Sequence, residues 1–409
     1  MSGEVPEGWE KVEIGSMFGL STPGHWGEDG QDDGNILVLR SANFLKAGGL
    51  NYETAALRKF DAKKLVQKRL EPGDLLLERS GGSPAQPVGR VNRFDAQGDF
   101  SASNFLQILR VRDKVDDWFA YYLLDSFYAQ GGTEHLQKAT TGIRNLDFAT
   151  YLATTIFLPP LDEQRRIAEV LRSASVAREA AQMVVEKCGD LIQTEIDAVV
   201  ADLVADPTLP VVHLGDIAMV KGGKRLPKGN EYSDIPTGFP YIRVTDWNDH
   251  EIDPTCVRWI SSEAAFAIKR YTISSADLFI SIAGSVGLVA SVPPELDGAY
   301  LTENAAKIVL REHVEIDRDY LLLVMRSGSL SGQIRRQKGV GGGVPKLALF
   351  RIEALEIPLP SIGRQREIAA SYRSLKKAGS IASQASRRAA SLCESLAADL
   401  LTGRVRVPA

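Results

Sequence analysis

The chain carries its own sequence pattern twice, and that duplication limits the possible folds more than any local motif does. Gly142-Ile-Arg-Asn-Leu146, Ile156-Phe-Leu-Pro159 and Gln164-Arg-Arg-Ile-Ala168 return 201 residues later as Gly343-Val-Pro-Lys-Leu347, Ile357-Pro-Leu-Pro360 and Gln365-Arg-Glu-Ile-Ala369. Residues 142–171 and 343–372 share ten identities, where composition alone gives about two. Weaker echoes keep nearly the same offset: Val12-Glu-Ile-Gly15 with Val212-His-Leu-Gly215, Gly73-Asp-Leu-Leu-Leu77 with Ala276-Asp-Leu-Phe-Ile280, and Asn104 with Asn304. A period of about 200 residues is too long for a solenoid unit, so the repeat is a whole domain with a trailing helix.

Short apolar runs with β-character, at Ile36–Arg40, Asp74–Leu77 and Leu106–Val111, have partners at Tyr241–Val244, Asp277–Ile280 and Lys307–Leu310. Each half therefore reads as mixed α/β. From Asp162 to Asp206 there is no proline and a single glycine. Apolar residues step by three and four through Val170, Ala174, Ala177, Ala181, Val184, Cys188 and Leu191, and then Ile192, Ile196, Val199 and Leu203. The spacing predicts a helix stopped by Pro207. The second half repeats the plan from Ile368 to Leu400, with Gly403 placed as a C-terminal cap. Two helices of ~40 residues, each ~60 Å long, carry alanine-rich seams that predict antiparallel packing as a coiled coil. The expected order is an α/β domain over 1–161, a helix over 162–206, a second α/β domain over 207–361, a helix over 362–403 and a tail over 404–409.

Composition excludes several classes. With 44% hydrophobic and 24% charged residues among 409, the chain is expected to be globular and ordered. The acidic start lacks an apolar leader segment and no run approaches ~20 apolar residues, so a cytoplasmic protein is expected. Cys188, Cys256 and Cys393 show neither a metal-ligand spacing nor a disulfide framework. The net charge of −4 gives no overall basic signature, so any nucleic-acid contact rests on local patches.

The combination of features resembles the specificity subunit of type I restriction-modification systems. The helix lead-in Leu158-Pro-Pro-Leu-Asp-Glu-Gln-Arg-Arg-Ile-Ala168, its variant Leu359-Pro-Ser-Ile-Gly-Arg-Gln-Arg-Glu-Ile-Ala369 and the ending Leu400-Leu-Thr-Gly-Arg-Val-Arg-Val407 carry the likeness together with the duplication. One departure is Gly363-Arg364 where the first copy has Asp162-Glu163. The resemblance implies two target recognition domains, each reading one part of a bipartite, asymmetric DNA site. It implies helices that act as a ruler and as a platform for two adenine methyltransferase subunits, and a restriction and translocation subunit that completes the nuclease. No cofactor is implied for this chain. Gln164, Arg165, Gln365 and Arg366 are the candidate partner contacts.

Candidate DNA contacts come from local clusters. Arg58, Lys59, Lys63, Lys64, Lys68 and Arg69 form a basic stretch that either tracks phosphates or is a solvated helix face. Lys221, Lys224, Arg225 and Lys228 flank Gly222-Gly223, where backbone can approach a phosphate. Arg79-Ser80-Gly-Gly-Ser83 and Ser281-Ile-Ala-Gly-Ser285 follow equivalent strands, as groove-entering loops or plain turns. Lys138, Thr141 and Arg144 are matched by Lys338 and Lys346 just ahead of the helices. Base readers at strand ends are Arg40, Asn43, Arg79, Arg144, Arg243 and Asp246, because arginine suits guanine and carboxamides suit adenine.

No Asp-Pro-Pro-Tyr or Asn-Pro-Pro-Tyr methylation motif and no phosphate loop occurs, and His25, His135, His213, His250 and His313 are scattered. A catalytic role is therefore not expected. The alternative is a coiled-coil scaffold that does not touch DNA. One geometric expectation concerns the ends: Val405–Val407 is predicted to pack beside residues 8–14 and close the repeat on itself.

Overall fold

A computed structural model describes residues 5–30, 34–45, 48–83, 86–140, 143–248, 251–337 and 346–408. The chain divides into two compact units, residues 1–183 with 383–409, and residues 184–382. Each unit thus combines one α/β half with part of both long helices, Leu161–Ala205 and Ile362–Leu401.

In the first unit, Leu106–Val111 pairs antiparallel with Phe18–Pro23 on one side and Leu75–Glu78 on the other, and Val91–Arg93 lies outside Leu75–Glu78. The run Leu75-Leu-Leu77 is fully buried because successive side chains enter different cores. Leu75 and Leu77 join Phe119, Leu123 and Tyr151, whereas Leu76 joins Phe94 and Phe100. A second sheet places Ile36–Leu39 parallel to Phe100–Ala102 and antiparallel to Ala56–Lys59.

The second unit repeats these choices. Ala305–Leu310 sits between Ala218–Gly222 and Leu278–Ser281, followed by Val289–Ser291. Leu278 and Ile280 face the core containing Tyr320 and Leu323, and Phe279 faces the opposite one with Ile242 and Val292. Pro240–Ile242 runs parallel to Ala299–Leu301, as its counterpart does in the first unit. This strand is shorter than the apolar run predicted, because a 3₁₀ turn at Val244–Asp246 takes over the chain.

Antiparallel helix pairing is present in each unit. In the first, Ile167, Ala168 and Leu171 share a core with Leu400 and Leu401, and the Ser386 hydroxyl donates to Gln182 Oε1 at 3.1 Å. In the second, Ile196 and Val200 share a core with Ile368, Ala369 and Tyr372. Gly379 lies so close to Ile192 that a β-carbon there would meet Cδ1 at 3.3 Å. Not every residue that spacing places in the seams is covered: Leu191 is 67% and Leu392 60% exposed. A packed helix buries only a strip of its apolar face, and both leucines fall outside that strip.

Candidate nucleic-acid interface

Both units end an interior sheet strand on the same device. After Ile36–Leu39, Arg40 caps a 3₁₀ turn at Ser41–Asn43, and its backbone N–H donates to Asn43 Oδ1 at 2.8 Å. After Pro240–Ile242, Arg243 caps the turn at Val244–Asp246, and its N–H donates to Asp246 Oδ2 at 2.8 Å. Asn43 and Asp246 are buried, so neither is placed to meet a base edge as expected from residue type. Asn43 uses its amide on Asn51 O and Thr54 Oγ1, both at 2.9 Å. Asp246 also accepts from Arg243 Nε at 3.1 Å and Nη2 at 2.5 Å. The arginines differ accordingly: Arg40 is exposed beside Trp26, while Arg243 is folded onto Asp246 and over the Tyr232 ring.

The basic stretch divides. Arg58 is half-buried, donating to Trp26 O and Gly27 O at 3.2 and 3.3 Å with its guanidinium over the Trp26 ring. Lys68 donates to Pro23 O at 2.9 Å, and burial holds its ammonium below the usual lysine range. Lys59, Lys63 and Lys64 are exposed, with Lys64 3.7 Å from Asp61. His25 lies beside this stretch; burial, followed by the charges of Lys64 and Lys68, pushes its pKa down.

Arg79 donates to Gln107 Oε1 at 2.9 Å and lies over the Phe148 ring. Ser80 donates to Asn145 Oδ1 at 2.6 Å, and the Ser83 hydroxyl accepts from Gln86 N at 3.2 Å. Arg144 sits on Ile143–Leu146, which pairs with Ser80–Gly82, so the two loops meet in one small sheet. Lys138, on the neighbouring strand, pairs with Asp147 at 2.7 Å. In the second unit Lys346 bridges Ala283 in the loop that carries the exposed Ser285. Thr141 and Lys338 lie outside the described residues. Lys221, Lys224, Arg225 and Lys228 are all exposed. Arg225 Nε donates to Glu303 Oε1 at 2.5 Å. Burial pushes the Glu303 carboxyl up, but its bonds, led by Arg225, bring it below the usual range.

Gln164 and Gln365, expected to face a partner, are buried instead. Gln164 accepts from Asp116 N at 2.9 Å and donates to Lys114 O at 3.2 Å and Pro159 O at 2.8 Å. Gln365 does the same with Asp317 N, Glu315 O and Pro360 O at 2.8, 3.1 and 2.8 Å. Their identity across the repeat is a requirement of the backbone they hold. Arg165 and Arg366 are exposed beside them.

Glu163 is a residue whose role spacing did not reveal. Buried in the first unit, it accepts from Trp9 Nε1 at 3.1 Å and from Arg406 Nε and Nη2 at 2.6 and 2.8 Å. Arg406 also donates to Glu7 O at 2.9 Å, so the tail does meet the region of residue 9. Among the described residues no cluster of His, Cys, Asp or Glu could hold a metal ion, and no helix is long and apolar enough to cross a membrane. The three cysteines form no disulfide.

Residues 6–176 and 208–382 each match the family described as the type I restriction modification DNA specificity domain. The Type I restriction enzyme EcoBI specificity subunit of Escherichia coli is 25% identical over 284 residues, which is 63% of this chain. The match spans 58% of that relative's length. Among solved structures, the type I restriction-modification system S subunit from M. genitalium superposes with a TM-score of 0.56 at 16% identity, over 98% of this chain and 97% of that one. A chain solved in work on complex assembly and conformational transition of the type I R-M system gives 0.60 at 16% identity, over 98% and 100%. With the family's domain matched in both halves, this chain belongs to the type I restriction modification DNA specificity family.

Proposed function

We propose that each α/β half is a target recognition domain reading one part of a bipartite DNA site, and that the chain directs catalytic partners without catalysing a reaction itself. The observation that carries this reading is the duplicated device at Arg40 and Arg243: one scaffold, fixed by backbone hydrogen bonds, sets an arginine at the same strand end in both units, exposed at Arg40 and paired with Asp246 at Arg243. Asn43 and Asp246 act in this reading as positioning residues. Lys59, Lys63, Lys64, Lys221, Lys224 and Lys228 serve as phosphate contacts, and Arg79, Ser80 and Arg144 shape a loop that enters a groove. The partners are two copies of an adenine-N6 methyltransferase subunit and a restriction and translocation subunit, with exposed Arg165 and Arg366 as docking contacts. The paired helices fix the gap between the two parts of the site, and the complex works in the cytoplasm.

Co-expression with a type I methyltransferase subunit, followed by methylome sequencing of the host, tests the assignment. A new N6-methyladenine mark in a two-part motif with a constant gap is expected. A stable complex that leaves no such mark, and shows no salt-dependent DNA binding, would return the chain to the scaffold reading.

A further inference from the structure

Four pairs of backbone hydrogen bonds align the two units atom for atom around the strand-end device. Gly24 N donates to Leu106 O as Gly223 N does to Ala305 O, and His25 N to Ala102 O as Lys224 N does to Leu301 O. Ser103 N donates to Leu39 O as Thr302 N does to Ile242 O, and Arg79 N to Phe105 O as Ile282 N does to Asn304 O. The register equates Asn104 with Glu303, one residue away from the Asn304 that sequence echo suggests, and Trp26 with Arg225. A conserved backbone therefore carries two chemically opposite tips.

In the first unit Trp26, Arg40, Ser80, Ser103, Asn104 and Phe105 line an open cleft of about 390 Å³. Asn104 and Phe105 are exposed, and the buried Ser103 hydroxyl has no hydrogen-bond partner among the described residues. In the second unit Thr302 Oγ1 donates to Glu303 Oε2 at 3.0 Å, and Glu303 in turn holds Arg225, whose side chain is 80% exposed. Bonding through Nε leaves the terminal guanidinium nitrogens as outward donors.

We infer that these equivalent positions determine specificity, with Asn104 beside Trp26 and Phe105 selecting an A·T pair in one half-site and Glu303-held Arg225 selecting a G·C pair in the other. A carboxamide matches the N6 and N7 edge of adenine, and the aromatic walls suit the 5-methyl group of thymine. A guanidinium matches O6 and N7 of guanine, and its carboxylate partner fixes the fork. The inference rests on the DNA-reading assignment above.

The test is the host methylome written by the chain with its methyltransferase partner, compared among wild type, Asn104→Ala and Arg225→Ala. Both side chains are exposed, so the folds should melt as wild type does. Asn104→Ala should relax one A·T position in one half-site by roughly 5- to 150-fold in discrimination. Arg225→Ala should relax one G·C position in the other half-site by a similar factor, each leaving the untouched half-site as an internal control. An unchanged motif, relaxation in both half-sites from one substitution, or loss of all marks with unchanged melting would overturn the inference while leaving DNA reading intact. A wild-type chain that writes no two-part motif removes the DNA-reading assignment, and this inference with it.

Discussion

Replacing Gln164 by alanine removes a carboxamide that makes three hydrogen bonds to the backbone from a position 1% exposed. At a net ~0.5–1.5 kcal/mol per bond, the loss is about 3 kcal/mol. The lost contacts matter locally, because Asp116 is both the donor to Gln164 and the N-cap of helix Asp117–Ala129, its side chain accepting from Phe119 N at 2.9 Å. Gln365→Ala should cost a similar amount, since its three partners are equivalent and Asp317 caps helix Arg318–Arg326 in the same way. Gln164→Glu should be no better tolerated: it would set a carboxylate against two carbonyl oxygens. Hydrogen exchange read by mass spectrometry separates the sites. Gln164→Ala should raise exchange at residues 116–123 by about 100-fold and spare 317–324, and Gln365→Ala should do the reverse. A shift in urea midpoint worth less than about 0.5 kcal/mol, or equal deprotection in both segments, would refute the argument that these glutamines are structural anchors.

Gly24→Ala and Gly223→Ala should each lower the melting temperature sharply, because an added Cβ would lie 2.2 Å from Ala102 O and 2.0 Å from Thr302 O. The cost should be about 3 kcal/mol or more, and melting within a degree of wild type would contradict it. Arg406→Ala leaves the buried Glu163 carboxylate with the Trp9 indole as its side-chain donor among the described residues. The half-exposed guanidinium limits the loss to about 1–2 kcal/mol, measurable by urea unfolding. Asp319 is pushed up by burial but held below its ordinary 3.8 by Arg373 and Arg318, at 2.7 and 2.8 Å. A depressed carboxyl stabilises the fold above its unfolded value, and that contribution disappears as pH falls through the folded value. Stability should therefore drop below about pH 4, and Asp319→Asn should flatten that slope; an unchanged acid limb in the variant would refute the assignment.

The duplication, the two long helices and their antiparallel pairing were legible because they depend on periodicity and on breakers such as Pro207, which act locally. The candidate site was legible only in outline. Arg40 and Arg243 stand out as strand-end residues, but nothing in their spacing distinguishes them from the Asn43 and Asp246 that the turns bury. Residue type alone made Gln164 and Gln365 look like surface contacts, whereas the polypeptide folds three backbone groups onto each. Leu191 and Leu392 read as seam residues because helical spacing records which face a residue occupies and not whether a neighbour covers that face.

What the amino-acid order determined by itself is the architecture: a domain with its helix, made twice, with strands whose continuous apolar runs demand burial on both faces. Tertiary structure alone decided which polar side chains remain available. A glutamine or an aspartate carries the same chemistry inside or outside, and only backbone amides and carbonyls brought from 48 to 50 residues away, as at Asp116 and Lys114 around Gln164, settle whether that chemistry is already satisfied. The equivalence of Trp26 with Arg225 and of Asn104 with Glu303 belongs to the same class, because strand register is set by cross-strand hydrogen bonds and shifts the repeat by one residue where sequence echo does not.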